Sequence, residues 1–143
     1  NLHSGSTQDI NRLLADEKTV GALSERKIAG FLTGFVDLIF QHSNMFYIVD
    51  YKTNNLGDRA EDYSSDNLIA AMTAHNYGLQ YFLYSLVLHR YLKNFMKGYD
   101  YASHFGGVFY LFVRGMDETG RGIYFHKPAL QVLESLSNCF EGN

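Results

Sequence analysis

The sequence lacks the hallmarks of several protein classes. A single cysteine, Cys139, excludes an internal disulfide framework and is typical of a reducing compartment, so we expect a cytoplasmic location. No apolar run reaches the ~18 residues that a membrane span requires, and the first residues do not have a basic end followed by an apolar stretch. The chain also contains no internal repeat, no low-complexity tract and no G-x-x-x-x-G-K-[ST] phosphate-binding loop.

The net charge and the hydrophobic composition indicate which classes of protein remain possible. A net charge of −3 argues against a strongly basic nucleic-acid-binding surface. Tryptophan is absent, but 11 phenylalanines, 11 tyrosines and a hydrophobic content of 46% predict a core rich in aromatic rings. At 143 residues the chain has the length of one compact domain, and we expect residues 1–143 to form one.

The distribution of apolar residues and breakers predicts alternating helices and strands. The expected elements are a helix over residues 8–18 with Thr7 as its N-cap, strands between Lys27 and Lys52, helices over 66–75 (N-cap Ser65) and 76–96, a strand over 104–115 that pairs with 120–126, and a helix over 128–140 with Pro128 in its first turn. Gly106-Gly107 predicts a bulge or a close backbone approach. The order of elements indicates an α/β (α+β) fold around a mixed sheet.

The stretch "GFVDLIFQHSNMFYIVDYKTN", residues 34–54, predicts a hairpin with charged residues in an apolar setting. If the turn lies at Ser43-Asn44, Asp37 stands directly opposite Asp50 with Cβ atoms ~5 Å apart. Lys52, two residues beyond Asp50, shares the same face. The residues expected to point the other way are Leu32, Val36, Leu38, Val49 and Tyr51.

Facing carboxylates repel each other, and a divalent cation between them removes the conflict. Oxygen ligands favour a hard ion such as Mg²⁺, and Lys52 beside it could hold a water or a phosphoryl oxygen, as in a hydrolytic phosphodiesterase. The alternative is a surface Asp–Lys pair without a function. The register depends on a Ser-Asn turn, which is not the favoured Asn-Gly.

The motif Asp-(twelve residues)-Asp-Tyr-Lys, preceded by Gly-Phe-Val, resembles the core of the PD-(D/E)xK nucleases. The segments "GFLTGFVDLIF", "YIVDYKTNNLG", "AMTAHNYGLQYFLYSLVLHRYL" and "YDYASHFGGVFYLFVRGMD" more narrowly resemble the nuclease domain of RecB-type helicase-nuclease subunits. The resemblance covers residues 28–135 and implies a restriction-endonuclease-like mixed sheet flanked by helices.

The resemblance also implies roles for individual residues. Asp37, Asp50 and the main-chain carbonyl of Tyr51 would bind Mg²⁺, with Mn²⁺ as a substitute and Ca²⁺ as an inhibitory ion. Lys52 would orient or help deprotonate the attacking water and stabilise charge on the scissile phosphate. Gln80 and Tyr84, which form the family's Gln-x-x-x-Tyr element, share a helix face and could contact DNA. Core packing with a satisfied hydroxyl is the alternative for Tyr84.

One departure from the family pattern limits the expected activity. The family has a further histidine ligand in an upstream helical region, but only His3 precedes Gly34, and its surroundings do not resemble that motif. We therefore expect residues 1–25 to be a remnant of that region, and the isolated chain to bind metal weakly and to cleave little DNA. The other histidines, such as His75 and His89, are expected to be packed or on the surface.

The resemblance implies a biological setting as well. The whole protein would be a Mg²⁺-dependent exodeoxyribonuclease of the exodeoxyribonuclease V type, acting on DNA in double-strand break repair and recombination. Its partners would be the RecC- and RecD-type subunits of that complex, and its ATP-driven motor would lie elsewhere in the polypeptide. The alternative is a nuclease-like module without catalysis, kept for subunit docking or DNA contact.

Overall fold

A computed structural model of the chain describes residues 4–21, 23–24 and 35–141. Its helices are α1 (Ser4–Leu13), α2 (Ser65–Ala74), α3 (Tyr77–Phe95), α4 (Tyr101–His104) and α5 (Leu130–Glu141). Its strands are β1 (Leu38–His42), β2 (Met45–Lys52), β3 (Phe105–Phe112) and β4 (Ile123–His126). Short 3₁₀ turns lie at Ala60–Tyr63 and Val113–Gly115.

The four strands form one mixed sheet in the order β1-β2-β3-β4. β1 and β2 form an antiparallel hairpin, β2 and β3 run parallel, and β3 and β4 are antiparallel. The parallel pair is connected through α2, α3 and α4, as a crossover between parallel strands requires. The α/β prediction with a mixed sheet and flanking helices is confirmed, while the strand predicted from Lys27 begins outside the described residues.

One face of the sheet packs against the helices and forms the core. Val108, Tyr110 and Phe112 of β3 are almost fully buried on this face, beside Ile48 of β2. The opposite face carries partly exposed side chains, including Leu38 at 42% and Tyr51 at 48%. Since successive strand residues alternate between faces, Asp50 and Lys52 share the helix-covered face with Ile48.

Helix α3 packs against the buried face of the sheet and has eleven buried residues, more than any other described helix. Its apolar residues at helical spacing, Leu79, Phe82, Leu83 and Leu86, form a buried stripe, whereas Arg90 lies at the exposed end of that stripe. Asn76 ends the turn before the helix in a left-handed conformation, φ 54°, and its side-chain oxygen accepts a hydrogen bond from the Gly21 N–H. Asparagine tolerates this conformation better than most residues.

Three predicted helix boundaries were wrong. Thr7 lies inside α1 with its Oγ1 buried and without a hydrogen-bond partner, because the helix begins at Ser4 and packs against α5. Ser64, not Ser65, is the N-cap of α2, since Ser64 has the extended backbone. Pro128 precedes the first helical residue, Leu130, and its carbonyl accepts a hydrogen bond from the Tyr101 hydroxyl.

The glycine pair at the start of β3 forms the predicted bulge. The strand register shifts between Phe46 and Tyr47, whose partners are Phe105 and Gly107, so Gly106 is the additional residue. Gly107 has φ 139°, and a Cβ atom there would lie 2.6 Å from the Phe125 ring. Only glycine meets both requirements without strain.

Candidate active site

The hairpin turn sets the register on which the site depends. Ser43 and Asn44 both have positive φ, 49° and 66°, as the two central residues of a type I′ turn do. His42 therefore pairs with Met45 and Leu38 with Val49, so the predicted register is confirmed. Extended by one residue, the same register sets Asp37 opposite Asp50.

Asp37 lies immediately before β1, where the regular pairing ends. Its Oδ2 atom accepts a 2.8 Å hydrogen bond from the backbone N–H of Tyr51. The side chain is exposed, so the expectation of a largely buried carboxylate pair was wrong for Asp37. The reason is that β1 is an edge strand whose five residues are all exposed, so the apolar setting predicted for the hairpin does not extend to Asp37.

Val36, just upstream, also differs from the predicted alternation. It packs against the core and lines an apolar groove with Ile39 and Tyr84, on the side of the sheet that α3 covers. The regular alternation of β1 therefore does not extend back to this residue, because the chain bends at Asp37. Leu32, predicted on the same face as Val36, lies outside the described residues.

Asp50 is buried beneath α3, with 3% of its surface exposed. Its Oδ1 atom lies 2.5 Å from Nζ of Lys52 but accepts no hydrogen bond of ordinary geometry among the described residues. Burial raises the pKa of Asp50, Lys52 opposes that shift, and the negative charge of Asp37 adds to it. The Oδ1 atom of Asp50 is therefore buried with only the Lys52 ammonium beside it.

Lys52 has two oxygen neighbours and two aromatic neighbours. Its Nζ pairs with Asp50 and donates a 3.1 Å hydrogen bond to Oε1 of Gln80. The same nitrogen lies 3.9 Å from the ring centroid of Tyr77 and 5.1 Å from that of Tyr110. With only 12% of its side chain exposed, Lys52 is a largely enclosed positive charge.

Gln80 connects the lysine to two other side chains, those of Tyr110 and Tyr84. Its Oε1 accepts a second hydrogen bond, 2.8 Å long, from the Tyr110 hydroxyl, and its Nε2 donates at 3.0 Å to the Tyr84 hydroxyl. Tyr84 in turn donates to the backbone carbonyl of Phe35 at 2.8 Å. The hydroxyl of Tyr84 is thus satisfied inside the protein, which agrees with the packing alternative, and DNA contact by Gln80 or Tyr84 stays a prediction.

Sequence reasoning missed Tyr77 and Tyr110, the two rings beside the ammonium. Tyr77 lies one turn before Gln80 on α3, so its presence on the same helix face could have been inferred from spacing. Tyr110 is the cross-strand partner of Asp50 in the parallel pair β2–β3. That pairing joins residues sixty positions apart, and no local pattern in the sequence indicates it.

The donors around Asp37 and Asp50 are suited to a hard cation. Tyr51 turns its N–H toward Asp37, and because the N–H and C=O of one strand residue point to the same neighbouring strand, its carbonyl faces that side too. Within residues 4–21, 23–24 and 35–141, no group of three or more His, Cys, Asp or Glu side chains is placed to hold a metal. Two carboxylates and one carbonyl remain, all of them oxygen donors.

Other polar residues lie apart from this site or at its rim. His89 is buried in α3 and contacts the Tyr99 hydroxyl at 3.0 Å, while Arg121 pairs with Asp117 beside the β3–β4 connection. Arg114 donates through Nε to the carbonyl of Thr53, directly after Lys52, at 2.8 Å.

No helix among the described residues is both long enough and apolar enough to cross a membrane.

With this geometry established, comparison with known proteins decides the family. The family model of the PD-(D/E)XK nuclease superfamily matches residues 5–137. The chain belongs to this superfamily. In this PD-(D/E)XK domain the register of β1 and β2 sets Asp37 opposite Asp50, and Asp50 pairs with Lys52 on β2.

The similar proteins are RecB subunits. The chain is 45% identical over 118 residues to the RecBCD enzyme subunit RecB of Escherichia coli strain K12, covering 81% of this chain and 10% of that protein. It is 42% identical over 120 residues to RecB of Haemophilus influenzae, covering 83% and 10%. Against RecB of Mycolicibacterium smegmatis the identity is 43% over 140 residues, covering 89% and 13%.

These matches define what kind of domain this is. The chain spans about a tenth of the length of the relatives it matches. It is therefore similar to one part of RecB, and the resemblance to a RecB-type nuclease domain is confirmed.

Proposed function

We propose that this nuclease domain hydrolyses DNA phosphodiester bonds with Mg²⁺, as part of an exodeoxyribonuclease of the exodeoxyribonuclease V type. The observation that carries the proposal is the buried Asp50–Lys52 pair next to Asp37, in a chain of the PD-(D/E)XK superfamily. A buried ion pair is weak evidence for stability, so its presence beneath α3 favours a chemical role.

The proposed cation ligands are Asp37, Asp50 and the carbonyl of Tyr51. Supporting this set, Oδ1 of Asp50 is buried without a hydrogen bond, and the only hydrogen bond of Asp37 within the described residues uses Oδ2. Oxygen donors of this kind suit Mg²⁺ or Mn²⁺, and Ca²⁺ would occupy the same ligands as an inhibitor. A bound divalent cation supplies Lewis-acid polarisation of a phosphate oxygen and a lower pKa for the attacking water.

Lys52 is the proposed partner of the water and the phosphate. Its ammonium is held by Asp50 and Gln80, which leaves one N–H direction for a third acceptor. A water or a phosphate oxygen there would be oriented by a charge-assisted hydrogen bond. Because the site is largely enclosed, the positive charge stabilises developing negative charge more strongly than it would in water.

The wider setting is proposed from the relatives. They are named as subunits of a RecBCD enzyme, and we propose that the whole protein likewise acts with RecC- and RecD-type subunits on DNA, in cytoplasmic double-strand break repair and recombination. Residues 1–143 would form one domain, with residues 1–25 belonging to an upstream helical region. The modest charge of −3 is compatible with this setting, because other domains would supply most of the DNA contact.

Cleavage of a labelled DNA duplex and of single strands, with and without Mn²⁺ in excess, tests the proposal. We expect weak cleavage by the 143-residue chain and stronger cleavage by a longer chain, lost at least a hundredfold in Asp50→Ala and Lys52→Met. Asp58→Asn is the matched control, since Asp58 is exposed and has no ion pair in the described part of the chain. Cleavage that survives Asp50→Ala would refute the proposal.

A second candidate is a nuclease-like module that docks a subunit or contacts DNA without cleaving it. The observation that favours it is the shortage of side-chain ligands, two carboxylates within the described residues. Calorimetric titration with Mn²⁺ of a longer chain and its Asp50→Ala variant separates the two candidates. A non-catalytic module should give the same heats for both proteins, whereas a metal-dependent nuclease should bind only in the chain with Asp50.

A further inference from the structure

The ammonium of Lys52 is enclosed by rings as well as by oxygens. Its Nζ lies 3.9 Å from the centroid of Tyr77, well within the ~6 Å at which a cation is attracted to an aromatic face. Tyr110 is a second ring at 5.1 Å, and the two ring centroids are 5.9 Å apart. The nitrogen therefore lies at a corner formed by two tyrosine rings.

Both rings are themselves held in place. The Tyr77 hydroxyl donates to Oδ1 of Asn54 at 3.3 Å, and the imidazole of His75 stacks on its ring at 5.1 Å with an interplanar angle of 17°. Tyr110 is fully buried, and its hydroxyl donates to the same Gln80 oxygen that accepts from Lys52. Neither ring can move away from the ammonium without loss of another contact.

We propose that Tyr77 and Tyr110 are positioning residues for Lys52. Lysine has a flexible stem with many rotamers, and two oxygen acceptors attract its ammonium without blocking its lateral movement. The two ring faces restrict the remaining space, and Tyr110 also fixes Gln80. The inference rests on the proposed function, because it assigns the rings a task in the reaction that Lys52 would assist.

The first test measures the geometry and requires no activity. Protons on the Cε carbon of Lys52, assigned by their disappearance in Lys52→Arg, should resonate upfield, because this carbon is bonded to the Nζ atom that lies over the Tyr77 ring, 3.9 Å from its centroid. We expect Tyr77→Phe to keep this ring-current shift and Tyr77→Leu to lose it. Tyr91→Leu is the control, since Tyr91 is an exposed aromatic residue on the same helix, and it should leave the signal unchanged.

The second test measures the consequence for cleavage, on the longest chain that cleaves DNA. We expect Tyr77→Leu to lower kcat about tenfold, equivalent to about 1.4 kcal/mol, with KM within about twofold of the wild type. Tyr77→Phe should restore kcat, because phenylalanine keeps the aromatic face. Tyr110→Phe keeps its ring and loses only the hydroxyl, so it should lower kcat less than Tyr77→Leu.

Two results would overturn the proposal: an unchanged Lys52 signal in Tyr77→Leu, or a lost ring-current shift with kcat unaltered. Failure of the proposed function has a different signature. In that case Asp50→Ala would cleave as well as the wild type, while the ring-current shift would still report whether the tyrosines hold the ammonium.

Discussion

Replacing Asp50 by asparagine should show how much folding free energy the buried carboxylate costs and whether that carboxylate binds a metal ion. The change keeps the shape of the side chain and removes its charge. Burial raises the pKa of Asp50 despite the nearby Lys52, so ionising this group costs folding free energy. Without added metal, Asp50→Asn should therefore be at least as stable as the wild type at pH 7.

The sign of the pH dependence follows from the same shift. For an acid whose folded pKa is raised, the wild type gains stability as pH falls through that pKa toward the unfolded value of 3.8. The advantage of Asp50→Asn should accordingly be fully present above the folded pKa and absent below pH 3.8. Urea unfolding of both proteins across this range measures it, with Asp58→Asn as the control for loss of an exposed carboxylate.

Added metal should make the wild type more stable than Asp50→Asn. A cation at ten times its Kd stabilises the folded state by about 1.4 kcal/mol if it binds only that state. For 143 residues the entropy of unfolding is about 0.3 kcal/mol/K, so the wild-type Tm should rise by about 5 °C. Asp50→Asn should show almost no rise in a thermal unfolding series with Mn²⁺. An equal rise in both proteins would mean that Asp50 does not hold the ion.

Three further predictions concern stability. Tyr84→Phe should lower the free energy of unfolding in urea by about 1–3 kcal/mol, because the Phe35 carbonyl and the Gln80 amide each lose a partner. Tyr91→Phe, at an exposed site, should change it by almost nothing. Equal changes in the two variants would contradict the hydrogen bonds assigned to Tyr84. Gly107→Ala should cost on the order of 1–3 kcal/mol from its positive φ and the Phe125 contact, and an unchanged Tm would refute that account. His126 packs against the Tyr81 ring and burial lowers its pKa, so the free energy of unfolding should fall as pH drops below 6.5. His126→Phe should reduce that fall, measured by urea unfolding at pH 7.5 and 5.5. An identical fall in the variant would exclude His126 as its cause.

Local patterns were sufficient to predict much of the fold. The stripe of α3, the Ser43-Asn44 turn and the glycine bulge each depend on residues close together in sequence, where periodicity or backbone preference determines the outcome. The helix N-caps were less predictable. Ser64 and Ser65 are adjacent and equally suited to the cap by chemistry, so residue type does not distinguish between them.

The candidate site, too, was only partly predictable from local patterns. The spacing of Asp37, Asp50 and Lys52 on a two-residue hairpin was enough to set Asp37 opposite Asp50 and to put Lys52 on the same face as Asp50, because strand geometry repeats every two residues. That Asp50 is buried while Asp37 is exposed followed from which strand lies at the edge and which lies under α3.

What the sequence determined by itself was the family and the identity of the acidic and basic residues, since these depend on residue type and short-range spacing. The tertiary structure alone decided the surroundings of Lys52. Tyr110 reaches it through a parallel strand pair and Tyr77 through a helix crossing the sheet, and such long-range pairings are selected by the packing of the whole core.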